Sequence, residues 1–152
     1  MQDRSGQIRV AMWGEATEFL IAHPITGAGL ASYAAKITPY HTLVNGEKIE
    51  IFSLPHNLFL SIYVNLGLLG LISFILIIYC YFKILISNFQ FPISNKFSIS
   101  QFPNFSIYLS ASMLTLLVMG LVDTPYIKND LAIFFWLLPA LSIIIDQEKK
   151  SA

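Results

Sequence analysis

Apolar and polar positions follow two different rhythms along this chain. From Leu58 to Phe82 there is no Asp, Glu, Lys, Arg or His, and a bilayer core takes roughly 20 helical residues to cross. This run predicts a membrane span near 57–82, with Asn57 placed to cap its start through its side-chain oxygen. Two further apolar runs predict spans near 105–122 and 129–146, the last with Pro139 inside its apolar core. Between the first two lies Lys83–Asn104, a loop rich in Ser, Asn, Phe and Pro. Asp123–Asp130 reads as a tight connection. Residues 1–56 are more polar and carry a shorter period. Ile8, Met12, Ala16, Phe19 and Leu20 recur close to the spacing of one helix face, with Arg9, Glu15 and Glu18 elsewhere on the wheel. They predict a surface or interfacial helix that stops near His23, because a residue before proline disfavours the α region. Thr26-Gly27-Ala28-Gly29 predicts a turn with positive φ at a glycine. A short helix around Leu30–Ile37 and a loop carrying Glu47, Lys48 and Glu50 complete the region.

Composition makes the membrane reading general. Of the 152 residues, 55% are hydrophobic and 12% charged, where soluble domains run at about 45–50% and about 25%. The expected fold is all-α: a polytopic membrane protein fragment with three transmembrane helices (57–152), preceded by an extracytoplasmic region with interfacial helices (1–56). Lysine placement sets the orientation. Lys83 and Lys96 follow the first span, Lys149 and Lys150 follow the third, and the connection between the second and third has Lys128 alone. The long loop and the C-terminus are therefore expected on the cytoplasmic side of the inner membrane, with residues 1–56 and Asp123–Asp130 outside. The first residues lack the basic and apolar regions of a signal peptide. A polar region of this length then needs another route across, so the chain is expected to be the C-terminal part of a larger protein.

Charge and cysteine content narrow the chemistry. Formal net charge is zero and no basic stripe appears, so nucleic acid is not an expected partner. Cys80 is the single cysteine and lies in the apolar run, where it reads as a small hydrophobe. No metal-ligand spacing, no G-x-S-x-G and no cofactor motif is found. Gly27 and Gly29 are not followed by the Lys-Ser/Thr of a nucleotide loop. Gly67 and Gly70 predict close helix packing. His23 reads as a structural helix-end residue, and His41 is assigned no role.

His56 is the candidate catalytic group. Pro55 fixes the approach of the chain and Asn57 can cap the helix, so the imidazole is not needed as a cap. Its expected depth is the outer headgroup level, where a lipid-linked phosphate would lie. An imidazole titrates near neutrality and can take a proton from a hydroxyl. Arg9, on the neighbouring interfacial helix, becomes a candidate diphosphate ligand because a guanidinium fork matches phosphate oxygens. Arg4 could assist it or be an ordinary surface residue.

Three stretches, IRVAMWGEATEFLIAHPITGAGLASY, PHNLFLSIYVNLGLLGLISFIL and GLVDTPYIKNDLAIFFWLL, resemble together the C-terminal half of the O-antigen ligase and polymerase superfamily. The resemblance rests on Arg9 four residues before Trp13, the His-Pro-x-x-Gly-x-Gly of His23–Gly29, the His56-Asn57 pair at a helix start, and Gly67-x-x-Gly70. It implies a metal-independent membrane glycosyltransferase. Such a protein moves a glycan from an undecaprenyl-diphosphate carrier to an acceptor hydroxyl on a glycan, lipid or protein at the outer face of the cytoplasmic membrane. His56 would activate the acceptor and Arg9, with Arg4, would bind the diphosphate. A family member has about a dozen spans and a further external arginine without counterpart here. The alternatives are a repeat-unit polymerase of the same superfamily, or a non-catalytic membrane subunit or inactive fragment.

Overall fold

The computed structural model describes residues 4–87, 105–125 and 129–151. Most of the long loop, with Lys96, and Tyr126 to Lys128 of the connection lie outside the described residues. Among the described residues there are five α-helices: α1 (Arg4–Ala22), α2 (Tyr33–Ile37), α3 (Leu58–Ser87), α4 (Phe105–Met119) and α5 (Asn129–Ser151). A 3₁₀ turn, Thr38–Tyr40, follows α2. Where the sequence reads as a loop there is a small hairpin, β1 (Leu43–Val44) against β2 (Glu47–Lys48), with Leu43 opposite Lys48 and Val44 opposite Glu47. Its turn is Asn45-Gly46, both at positive φ, the pair that a two-residue hairpin turn favours. Helix α3 is long and apolar enough to cross a membrane by length and composition, whereas the apolar stretches Phe105–Met119 and Leu131–Gln147 are shorter.

Two compact units divide the chain, one formed by the residues up to Ile75 with Met119–Thr124, the other by Leu76–Val118 and Pro125 onward. In the first, the periodic face of α1 packs as the pattern predicts. Ala16, Phe19 and Leu20 join Ala28, Tyr33, Ile37 and Val64 in one buried cluster. Met12 joins Val44 and Ile49 in another, flanked by Ile8, Ala11 and Phe52. Glu15, read from the sequence as lying elsewhere on the wheel, is three residues after Met12 and four before Phe19, shares their face and is buried, 4% exposed. In the second unit, the Tyr81 hydroxyl donates to the Leu109 carbonyl at 2.6 Å, and Met113 and Phe135 are fully buried.

The role of Gly67 differs from the expected helix packing. It sits at φ 69° and ψ −170°, and α3 is broken there. The segment after α1 fills the gap: the Ala28 amide donates to the Val64 carbonyl at 2.6 Å, and the Leu68 amide donates to the Ile25 carbonyl at 3.0 Å. These replace the bond a continuous helix would make from Leu68 to Val64. The approach is so close that a Cβ on Gly27 would lie 2.5 Å from the Val64 oxygen, and one on Gly67 would meet the Ile25 carbonyl. The kink also brings the Leu66 side chain against Gly70.

Candidate functional site

His56 lies in the turn that enters α3, and its geometry is held from several sides. Trp13 of α1 donates its indole N–H to the Pro55 carbonyl at 2.9 Å. Asn57 caps the helix as its side chain predicts, its Oδ1 accepting from the Leu60 amide at 3.0 Å. The Asn57 amide group donates to the Leu121 carbonyl at 2.9 Å, and the Leu58 amide to the Gly120 carbonyl at 2.6 Å. Between these anchors His56 adopts φ 45°, a left-handed conformation that costs a non-glycine residue about 1–3 kcal/mol. The Phe52 ring meets the imidazole edge-on, with centroids 5.3 Å apart.

The segment after α4 brings Asp123 to the ring. Its Oδ1 lies 3.6 Å from His56 Nδ1, with His56 33% exposed and Asp123 less so. This separation exceeds a hydrogen bond, but it sets a carboxylate against one ring nitrogen. Nε2 has no hydrogen-bond partner among the described residues. A carboxylate at Nδ1 favours the tautomer with its proton there, leaving the Nε2 lone pair available as a base. Such contacts are often long in the absence of substrate and tighten when it binds.

The arginines are placed differently. Arg9 is half-buried and makes no ion pair among the described residues. It precedes Trp13 by four positions and so lies on the same side of α1, one turn away, while Trp13 is tied to the residue before His56. Arg4 pairs with Glu47 of the hairpin, both side chains well exposed. Exposed pairs of this kind are worth about 0–1 kcal/mol, so a ligand phosphate could compete for the guanidinium. Asp123 carried no chemical role in the sequence, because nothing local connects it to a histidine 67 positions earlier.

A second polar cluster escaped the sequence entirely. Buried Glu15 accepts from the Thr42 amide at 2.7 Å and from its hydroxyl at 2.8 Å, and lies 3.4 Å from His41 Nδ1. His41 Nε2 contacts the Ile49 carbonyl at 2.9 Å. Burial, and secondarily the Glu15 charge, raises the Tyr33 phenol well above its usual range. Glu15, Tyr33, His41 and Phe52 border a cavity of about 10 Å³, near the size that holds one water. Glu15 ties α1 to Thr42 and His41, and His41 in turn reaches Ile49 beyond the hairpin, so this cluster braces the scaffold. Among the described residues no group of three or more His, Cys, Asp or Glu could hold a metal ion.

Comparison with known proteins bears on residues 1–75, which match the model of a family described as O-antigen ligase. A Rickettsia typhi protein provisionally named a polysaccharide ligase is 37% identical over 89 residues, covering 54% of this chain and 22% of its own. A similarly named Rickettsia conorii protein is 32% identical over 137 residues, covering 80% of this chain and 33% of its own. The chain thus spans between about a fifth and a third of the length of these relatives. No solved structure matches it. The matched segment holds Arg9, Trp13, the glycine turn and His56, and the chain belongs to the O-antigen ligase superfamily.

Proposed function

We propose that this chain carries the acceptor-activating part of a membrane glycosyltransferase that moves a glycan from undecaprenyl diphosphate to an acceptor hydroxyl. The single observation that carries the reading is His56 held in a strained turn, with Asp123 at Nδ1 and Nε2 open. In the step proposed, Nε2 takes the acceptor's hydroxyl proton as that oxygen bonds to the donor sugar's anomeric carbon. The bond from that carbon to the diphosphate oxygen breaks, and undecaprenyl diphosphate leaves with the bonding electrons. Arg9 stabilises the charge growing on the diphosphate, with Arg4 available from the same helix. Helix α3 crosses the cytoplasmic membrane, α4 and α5 supply two further crossings, residues 1–56 face outward and the C-terminus faces the cytoplasm.

The test is His56→Ala in the longest reading frame that carries this chain, assayed for glycan transfer in membranes. General-base assistance is typically worth 10²–10⁴-fold, so transfer should fall by about that factor while membrane insertion is retained. Normal transfer by the inserted variant would remove His56 as the base. A reporter placed within Thr42–Glu50 should read external, and one after Lys150 cytoplasmic; a cytoplasmic Thr42–Glu50 would put the site on the wrong face for the donor.

A further inference from the structure

The break in α3 is closed by a loop whose outer surface is largely apolar, Thr26 being the exposed polar side chain between Pro24 and Leu30. Ile21, Ile25 and Leu30 are 77%, 68% and 74% exposed, and Leu69, just past the break, is 74% exposed. No Asp, Glu, Lys or Arg occurs from Ile21 to Tyr33; His23 and Lys36 are the ionisable groups that bound the loop. Lys36 donates its ammonium to the Ala28 carbonyl at 2.7 Å, and its long stem suits a charge held at an interface. Isolated exposed hydrophobes are ordinary, but these join the exposed apolar surface of α3 through the hydrogen bonds that lock loop and helix together.

Several polar groups of the loop, and the two that the helix break frees at Val64 and Leu68, are paired within the protein. The amides of His23, Gly27 and Ser32 donate to the carbonyls of Phe19, His23 and Gly29. The Ala31 amide, at positive φ, donates to Asn65 Oδ1 at 3.2 Å, and the Asn65 amide group donates to the Ser61 carbonyl at 2.8 Å. The hydroxyl of Tyr63 donates to the Pro24 carbonyl, that of Ser32 to Leu30 and that of Thr26 to Gly27. Among the described residues, Ser61 is the one buried side chain whose polar atom has no hydrogen-bond partner. A helix break exposed to water needs no such substitution, since solvent satisfies the freed groups. In hydrocarbon each freed group must find a partner in the protein.

We propose that the loop from Pro24 to Leu30 is immersed in the bilayer that α3 crosses, its outer side chains covered by lipid acyl chains. The region before α3 is then not wholly external. Gly67 lies ten residues beyond Asn57, about 15 Å along a helix axis, which places the loop between the outer interface and the mid-plane of a core about 30 Å thick. The proposal rests on the reading that α3 spans the membrane, and the experiment separates the two.

Spin labels at Ile25→Cys, Leu30→Cys, Ile72→Cys and Lys48→Cys, each in a Cys80→Ala background, are measured in vesicles of phosphatidylethanolamine and phosphatidylglycerol. Collision with oxygen reports lipid, and collision with a water-soluble nickel chelate reports solvent. Labels at Ile25 and Leu30 should follow the Ile72 label on α3, oxygen-accessible and shielded from nickel, while Lys48 should show the reverse. Nickel access at Ile25 and Leu30 with Ile72 shielded would overturn the loop's immersion and leave the spanning helix intact. Nickel access at Ile72 as well would overturn the span itself. Shielding of Ile25 and Leu30 from both reagents would show protein on this face and would also refute the proposal.

Discussion

Replacing Gly67 with alanine tests the lock between the loop and α3 most directly. The backbone there, φ 69° and ψ −170°, belongs to a region essentially reserved for glycine, at about 1–3 kcal/mol for other residues. The new Cβ would also press on the Ile25 carbonyl and approach the Thr26 carbonyl carbon to 2.9 Å. Two responses are open to the chain. It can keep the break, accept the strain and push Ile25 away, which loses the Leu68 amide's partner at a net cost of about 1 kcal/mol. It can instead close α3 into a continuous helix, restoring the Leu68–Val64 bond and evicting the loop. The Ala28 amide and Ile25 carbonyl are then orphaned, at about 1–3 kcal/mol each. Either route costs about 2 kcal/mol or more, a large share of a domain's 5–15 kcal/mol. Thermal unfolding in micelles, followed by near-ultraviolet circular dichroism, reads the loss. Hydrogen exchange at Ala28 identifies eviction, since its amide would lose protection. Gly14→Ala is the control: no heavy atom lies within 4 Å of its would-be Cβ, and alanine should stabilise that helix by about 0.5–1 kcal/mol. Gly27→Ala should resemble Gly67→Ala, and the double variant should cost little more than the worse single one, because both act on one contact. A Gly67→Ala protein within 0.5 kcal/mol of wild type would refute the lock.

Three further outcomes follow from the site and its support. Asp123→Asn should lower glycan transfer by about tenfold or more within the 10²–10⁴ range of general-base assistance; an unchanged rate would show that Asp123 does not orient the imidazole. Arg9→Lys should lose much of the activity although it keeps the charge, because the bidentate fork is gone, and Arg9→Ala should lose at least as much; full activity of the lysine variant would leave Arg9 an ordinary interfacial residue. Glu15→Ala should destabilise the first unit by about 2–4 kcal/mol, since the Thr42 amide and hydroxyl and the His41 ring each lose a buried partner. Unfolding of Glu15→Ala at the wild-type temperature would show that the cluster is not a brace.

Elements governed by local periodicity were legible in the sequence. Met12, Ala16, Phe19 and Leu20 occupy one helical stripe and are all buried, in two neighbouring clusters of the chain's first unit, and Asn57 caps the helix its side chain predicted. The charge-free run from Leu58 marks the long apolar α3. What the sequence hid depends on partners far along the chain. A glycine in an apolar helix signals packing or a break equally well. The choice at Gly67 is made by Ile25 and Ala28, some forty positions earlier. Glu15 shares the face of Met12 and Phe19, but the partners that satisfy its carboxylate there, Thr42 and His41, return to it only after α2 and the 3₁₀ turn. Asp123 sits in a short polar connection, and only the chain's return after α4 brings it to His56. The hairpin had a local signal, Asn45-Gly46, but its strands of two residues each are too short to show an alternation.

The conformation of His56 separates its structural role from its chemical one. Asn57 already caps α3, Trp13 holds the Pro55 carbonyl, and the Leu58 amide is bonded to Gly120, so the turn needs a residue at positive φ but not an imidazole. Glycine would satisfy that need at no steric cost, whereas a Cβ in left-handed geometry costs roughly 1–2 kcal/mol. His56→Gly and His56→Ala remove the same ring, its edge contact with Phe52 and its approach to Asp123. Their difference in stability therefore isolates the backbone strain, reduced somewhat by the greater freedom of glycine in the unfolded chain. The glycine variant should be the more stable of the two by about 1 kcal/mol in thermal unfolding, and both should lose glycan transfer equally. An alanine variant as stable as the glycine one would show that the turn is not held at positive φ. Transfer surviving in either variant would show that the ring is dispensable. Greater stability with lost transfer in His56→Gly would mean that the fold tolerates strain at this position in order to keep a base there.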